Sequence, residues 1–99
     1  MMVEIRRTGG FAGVEEKLAS VDSRRLPEGA AAELARLVAR LSAWCARNPE
    51  SEGADRFRYE IEIAEPGALP RTLAVVDEGD PQHPAVKDVL ALLDLVGGR

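Results

Sequence analysis

The sequence is poor in the residues from which catalytic and metal sites are usually built. Its 99 residues include one histidine, His83, and one cysteine, Cys45. A single cysteine cannot form an internal disulfide, so nothing in the cysteine content requires an oxidising compartment. His83 has no second ligand type close to it in the sequence, and we expect it to be solvated at the surface. We therefore predict that the protein is not an enzyme and binds no cofactor or metal.

Long apolar runs and an excess of positive charge are also missing. Apolar runs are short, such as Leu90–Leu93, whereas a membrane-spanning helix needs about 20 residues. The net charge is −4. This argues against a nucleic-acid partner, because binding to phosphates needs a basic surface. Charged residues within the first seven positions, with no apolar run after them, do not resemble a signal peptide. We expect a soluble, cytoplasmic protein with no membrane or nucleic-acid partner, monomeric when free.

The first part of the chain has the pattern of a hairpin. Val3 and Ile5 alternate with polar residues, which indicates a strand. Residues 14–22 fit either a strand with an irregularity near 19–20 or a short helix. We favour the strand, because a glycine-rich loop between two strands makes a hairpin and a bulge would absorb the change of phase.

A helix is predicted from Pro27 to Asn48. Its apolar positions follow the spacing of one helix face, and Asn48-Pro49 ends it. We expect Cys45 to be a packing residue, because it lies on this face next to Trp44. The apolar positions are Leu34, Leu37, Val38, Leu41, Trp44 and Cys45.

The second half repeats the order of strand, turn, strand and helix. Residues 57–63 alternate cleanly, Pro66-Gly67 is typical of a type II turn, and residues 72–76 return as a strand. We predict one domain over residues 1–99 with an α+β fold of order ββαββα. In this fold a four-stranded, mostly antiparallel sheet carries both helices on one face. The apolar stripe predicted for the second helix is Val86, Val89, Leu90, Leu93 and Val96.

The loop after the first strand contains one large apolar side chain among small residues. A chain reversal needs only two residues such as Asn-Gly, yet this loop has five, Gly9-Gly10-Phe11-Ala12-Gly13. It lacks the Lys-Ser/Thr of a phosphate-binding loop. We interpret it either as a loop that presents Phe11 to a partner or as a turn in which Phe11 caps the core, and we favour presentation.

This loop and its flanks resemble the emfourin family. The matching segments are Arg7-Thr8 before the loop, then Val21-Asp22-Ser23, then Leu26-Pro27 before the helix. The later segments Phe57–Ile61 and Leu92–Leu95 are also similar, so that the resemblance covers nearly the whole chain. Emfourins are small bacterial inhibitors of thermolysin-like zinc metalloproteases, with protealysin as the namesake target. Residues 14–21 are about one residue longer than the family's usual strand, which leaves the register of the second strand open.

The resemblance implies a competitive inhibitor that plugs the cleft of a thermolysin-like zinc metalloprotease. Such a plug needs an apolar anchor, and a carboxylate or carbonyl directed at the zinc. Phe11 is the candidate anchor. The candidate protease-binding residues are Gly9, Gly10, Phe11, Ala12, Gly13 and Val14.

Four carboxylates are candidates for the group directed at the zinc. We expect Glu65, in the turn of the second hairpin, at the same end of the sheet as Phe11. We expect Asp22, Asp77 and Asp80 to cluster at the opposite end. Two plugs are therefore open, the glycine loop with Glu65 or the acidic end, and we favour the first.

A second class of function is a non-enzymatic interaction module, such as a regulatory subunit or an antitoxin-like partner. Its mark would be an exposed apolar patch on the outer face of the sheet, for which we name Thr72, Ala74 and Val76.

Overall fold

Two strand–strand–helix units follow each other along the chain, as the pattern predicted. The computed structural model describes residues 1–9, 15–48, 57–77 and 82–97. The first unit contains β1 (Met2–Gly9), β2 (Glu16–Asp22), a short 3-10 helix (Ser23–Arg25) and α1 (Glu28–Arg47). The second contains β3 (Phe57–Ala64), β4 (Arg71–Asp77) and α2 (Pro84–Val96). The predicted α+β fold is confirmed.

The four strands form one antiparallel sheet in the order β2-β1-β3-β4. The two central strands, β1 and β3, run in opposite directions, with Met2 opposite Ala64 and Gly9 opposite Phe57. The turns of the two hairpins therefore lie at opposite ends of the sheet.

These two ends organise the candidate site residues. The first-hairpin end is where β1 ends at Gly9 and β3 begins at Phe57, which pairs with Asp77 of β4. The second-hairpin end is where Met2 pairs with Asp22 and β3 ends at Ala64.

Residues 16–22 form a strand with one extra residue, so the strand prediction is confirmed and the helix alternative is wrong. Ile5 pairs with Ala19, but its neighbour Arg6 pairs with Lys17, so that Leu18 is left over as a β-bulge. The bulge lies next to the irregularity predicted at 19–20. It keeps both Leu18 and Val21 packed against the core despite their odd spacing.

Both helices pack on the face of the sheet that carries the alternating apolar residues. The α1 prediction is confirmed, with Trp44 and Cys45 half-buried at the end of the stripe. The thiol of Cys45 donates a hydrogen bond of 3.4 Å to the carbonyl of Ala74, which fits a packing role. Among the described residues, the buried core comprises Val3, Ile5, Leu34, Leu37, Val38, Leu41, Tyr59, Ile61, Ile63, Val75, Ala85, Val86, Val89 and Leu92.

The stripe predicted for α2 is wrong at one position. Leu90 is 37% exposed, whereas Leu92 is 0% exposed. The buried face runs through Ala85, Val89 and Leu92, at the spacing i, i+4, i+7. This face is rotated from the predicted one because α2 contacts α1 as well as the sheet.

The expectation that His83 is solvated holds only in part, because the residue is half-buried. Its ring meets the ring of Trp44 edge-on, with 5.2 Å between the centroids. Its Nδ1 atom is buried and has no hydrogen-bond partner among the described residues. The cause is tertiary, because His83 immediately precedes α2 at the point where α1 brings Trp44 alongside. Within the described ranges, neither helix is long and apolar enough to cross a membrane.

Candidate functional site

The structure separates the candidate residues differently from the sequence-based prediction. Glu65 follows Ala64 and so lies with Asp22 at the second-hairpin end, whereas Asp77 lies with Gly9 at the first-hairpin end. The predicted pairing of Glu65 with the glycine loop, and the predicted cluster of Asp22 with Asp77, are both wrong. Both predictions required the hairpins to point the same way, but β1 and β3 are antiparallel. The two ends are roughly 23 Å apart along the seven residue steps of β1.

Part of the candidate site lies outside the described residues. This applies to loop residues 10–14, which include Phe11 and Val14, and to Asp80. Gly9 is described and has a φ of 92°, a backbone conformation that favours glycine. At Gly9 the chain thus leaves β1 in a left-handed backbone conformation.

An aromatic ring and an arginine mark the first-hairpin end. Phe57 is 46% exposed, and the guanidinium carbon of Arg7 lies 4.8 Å from the centroid of its ring. Arg7 also donates a hydrogen bond of 2.9 Å to Glu16 across the hairpin. Arg7 of β1 therefore contacts both neighbouring strands, Glu16 on β2 and the ring of Phe57 on β3. The cation–π contact helps to fix the partly exposed ring.

A tyrosine and a carboxylate lie on the helix side of the same end. Tyr59 is buried, and burial together with the negative charge of Asp77 raises the pKa of its phenol. Asp77 therefore places a carboxylate beside Gly9 and Phe57, at the end to which the glycine loop connects.

The second-hairpin end is closed by the N-terminus and the short 3-10 helix. The N-terminal ammonium group of Met1 donates to the hydroxyl of Ser23 at 3.1 Å, and the N–H of Ser23 donates to the carbonyl of Met1 at 2.8 Å. Asp22 caps the 3-10 helix by accepting from the N–H of Arg24 at 3.0 Å.

Both carboxylate oxygens of Asp22 are occupied by Arg24. The side chain of Arg24 donates to Oδ1 at 3.2 Å and to Oδ2 at 2.9 Å. These hydrogen bonds, with that from the backbone, lower the pKa of Asp22 to about 2. This carboxylate therefore has a structural partner within its own chain.

The turn of the second hairpin is tight and carries an exposed leucine. The N–H of Ala68 donates to the carbonyl of Glu65 at 3.2 Å, and Gly67 has a φ of 77°, which confirms the predicted type II turn. Leu69 comes directly after it and is 90% exposed. Our sequence reasoning did not single out Leu69. The available signal was its position between Pro66-Gly67 and Pro70, where no apolar periodicity accounts for a leucine.

Two shallow cavities lie around Met2, and the smaller one adjoins this turn. One has a volume of about 260 Å³ and another a volume of about 330 Å³. Met2 lines both and is 45% exposed. Across the described ranges, no group of histidine, cysteine and carboxylate side chains is arranged to hold a metal ion. The first cavity is lined by Met1, Met2, Asp22, Arg24, Ala64, Glu65 and Pro66.

The emfourin family model matches residues 5–93. The chain belongs to the emfourin family. The match runs from within β1 into α2 and includes both hairpins, so the resemblance seen in the sequence is confirmed over these residues. Emfourins form a family of inhibitors of protealysin-type metalloproteases, not a family of enzymes. Comparisons with curated proteins and with solved structures gave no significant match.

The outer face of this emfourin sheet is charged at its centre. The guanidinium of Arg6 lies 3.3 Å from carboxylates of Glu15 and Glu62, and 3.8 Å from those of Glu4 and Glu60. A face of this kind is well solvated. Of the residues named as the patch of an interaction module, Thr72 is exposed, whereas Ala74 and Val76 are half-buried.

Proposed function

We propose that the protein is a competitive inhibitor of thermolysin-like, protealysin-type zinc metalloproteases, and that one hairpin end of its sheet occludes the active-site cleft. The observation that carries the proposal is the emfourin match over residues 5–93. The fold supports it, because a four-stranded sheet backed by two helices is a rigid base from which hairpin loops project.

The chemistry of the target sets what the plug must supply. A catalytic zinc keeps an open coordination position, which a carboxylate or carbonyl oxygen can occupy. An apolar side chain that fills a neighbouring pocket then contributes most of the binding energy. Each hairpin end of the sheet has a candidate for the carboxylate.

The first-hairpin end would use the glycine loop, residues 9–14, with Phe11 as its anchor. Of the candidate carboxylates among the described residues, Asp77 lies at that end and Glu65 does not. The second-hairpin end would use Glu65. Asp22 is a weaker candidate there, because Arg24 already occupies both of its oxygens.

The experiment is a titration of peptide hydrolysis by a protealysin-type enzyme, and by thermolysin, with this protein. We expect the apparent inhibition constant to rise in proportion to substrate concentration, as competition requires. Absence of inhibition of thermolysin alone would indicate narrow specificity. Absence of inhibition of protealysin-type enzymes, including one from the same genome, would overturn the proposal.

A substitution at the glycine loop distinguishes the two ends. If the first-hairpin end enters the cleft, Phe11→Ala should raise the inhibition constant while circular dichroism shows an unchanged fold. Unchanged inhibition by a folded Phe11→Ala protein would exclude this loop as the anchor and leave competitive inhibition intact.

A further inference from the structure

The second-hairpin turn combines an exposed apolar side chain with a rigid backbone. Single exposed apolar residues are common in proteins, so the 90% exposure of Leu69 would mean little by itself. Leu69 differs because it lies between two prolines, Pro66 and Pro70, whose rings fix their own φ angles. A hydrogen bond from the N–H of Ala68 to the carbonyl of Glu65 also closes the turn before it. Pro70 also biases the residue before it, Leu69, towards an extended backbone.

This rigidity favours binding. A side chain held on a fixed turn loses little conformational freedom when a partner buries it, so more of the contact energy remains as affinity. Leu69 is not among the core residues or the apolar residues packed against them, so folding does not account for its presence. A partner with an apolar pocket would bury it.

A carboxylate lies on the same turn. The first and fourth residues of a β-turn have their Cα atoms less than about 7 Å apart, which places Glu65 close to Ala68 and to Leu69 after it. Glu65 is exposed. The turn therefore carries an apolar side chain and an exposed carboxylate close to each other, which is the combination that a zinc with an adjacent apolar pocket would bind.

We infer that the second-hairpin turn, residues 65–70, is the segment that enters the protease cleft, with Leu69 in the apolar pocket and Glu65 directed at the zinc. The inference rests on the proposed function. It places the protease-binding segment at the second-hairpin end, whereas the sequence analysis favoured the glycine loop at the first-hairpin end. The partly exposed Met2 and the cavity it shares with Pro66 extend the contact surface next to the turn. Methionine suits such a border because its side chain adapts to irregular surfaces.

Pro70 explains why such a turn would not be cut readily. An extended substrate is held by hydrogen bonds from its backbone N–H groups, in the manner of an added strand. Pro70 has no N–H to donate. The chain after Leu69 therefore lacks one of the backbone hydrogen bonds that hold a substrate in the cleft. The hairpin also keeps both sides of the turn in place.

The test compares Leu69→Ala with Leu90→Ala in the competitive assay. Leu90 is the matched control, because it is a surface leucine, 37% exposed, on α2. We expect Leu69→Ala to raise the inhibition constant at least about tenfold, the loss typical of a buried apolar anchor, and Leu90→Ala to leave it unchanged. Glu65→Gln, which keeps the shape and removes the charge, should weaken inhibition several-fold. Phe11→Ala should have little effect.

The outcomes separate this inference from the proposed function. Competitive inhibition that Leu69→Ala leaves unchanged would overturn the inference while the function stands. Equal losses in Leu69→Ala and Phe11→Ala would also overturn it, because one cleft cannot receive loops from opposite ends of the sheet. A wild-type protein that inhibits no protealysin-type enzyme would overturn both. Circular dichroism and thermal unfolding of each variant ensure that a loss of inhibition is not a loss of fold.

Discussion

Replacing Gly67 by alanine tests the turn on which the inferred contact depends. Gly67 has a φ of 77°, and a Cβ added there would have no heavy atom within 4 Å. Steric clash with neighbours therefore contributes nothing, and the cost comes only from the left-handed backbone. That cost is about 1–2 kcal/mol for a residue with a Cβ. The lower entropy of the unfolded alanine chain offsets part of it, about 0.4–1 kcal/mol.

The net expectation for Gly67→Ala is a loss of about 1 kcal/mol in the free energy of unfolding. Gly29→Ala is the matched control, because Gly29 is equally open but lies in the first turn of α1. In a helix the same change should stabilise the protein by about 0.5–1 kcal/mol. Two chemically identical substitutions should thus shift stability in opposite directions.

Urea unfolding followed by circular dichroism measures both variants. A difference of 1 kcal/mol corresponds to about 4–8 °C in Tm for a domain of this size, and the slope of the urea dependence should not change. Gly67→Asn should lose less stability than Gly67→Ala, because asparagine tolerates the left-handed region. A Gly67→Ala protein as stable as the wild type would refute the type II turn, and with it the rigid presentation of Leu69.

Two further predictions concern charged groups. Asp22 has a pKa of about 2 in the folded protein against an ordinary value of 3.8, so its contribution to stability is present above about pH 4 and is lost as the pH falls towards 2. Asp22→Asn should remove this contribution. The free energies of unfolding of the wild type and the variant, measured at several pH values, should therefore converge as the pH falls from about 4 towards 2. A difference that stays constant with pH would contradict the Arg24 contact. Arg6→Met should destabilise the protein by about 1 kcal/mol at low salt, because Glu4, Glu60 and Glu62 would then repel each other. Added salt should reduce the difference in unfolding free energy between the wild type and Arg6→Met. A difference that salt leaves unchanged would show that the variant loses packing contacts and not charge interactions.

Local patterns predicted the elements because the signals that make them are local. The alternation around Tyr59 and Ile61, the stripe through Leu34 and Leu41, and the turn at Gly67 are properties of a few consecutive residues. The emfourin resemblance was equally readable, since it depends on short segments in a fixed order. Even the bulge at Leu18 was anticipated within a residue, because the apolar spacing changes phase there.

The positions of the candidate groups relative to each other do not follow from local patterns, and here the prediction from the sequence was wrong. Nothing in β1 or β3 alone states that these strands pair antiparallel, yet that pairing joins residues more than 50 positions apart, such as Val3 and Ile63. It decides that Glu65 lies far from Gly9 and that Asp77 lies near it. In the same way, the contact of His83 with Trp44 exists only because α2 starts beside the end of α1.

The sequence by itself therefore determined the elements, their order and the family, because each depends on residues close together in the chain. The tertiary structure alone decided which candidate groups share an end of the sheet and which apolar side chains remain exposed. The reason is physical: exposure and proximity depend on how strands pair and helices pack across the whole chain. Leu69 shows this most directly, since an isolated leucine between two prolines acquires its significance only from the 90% exposure that the folded hairpin leaves it.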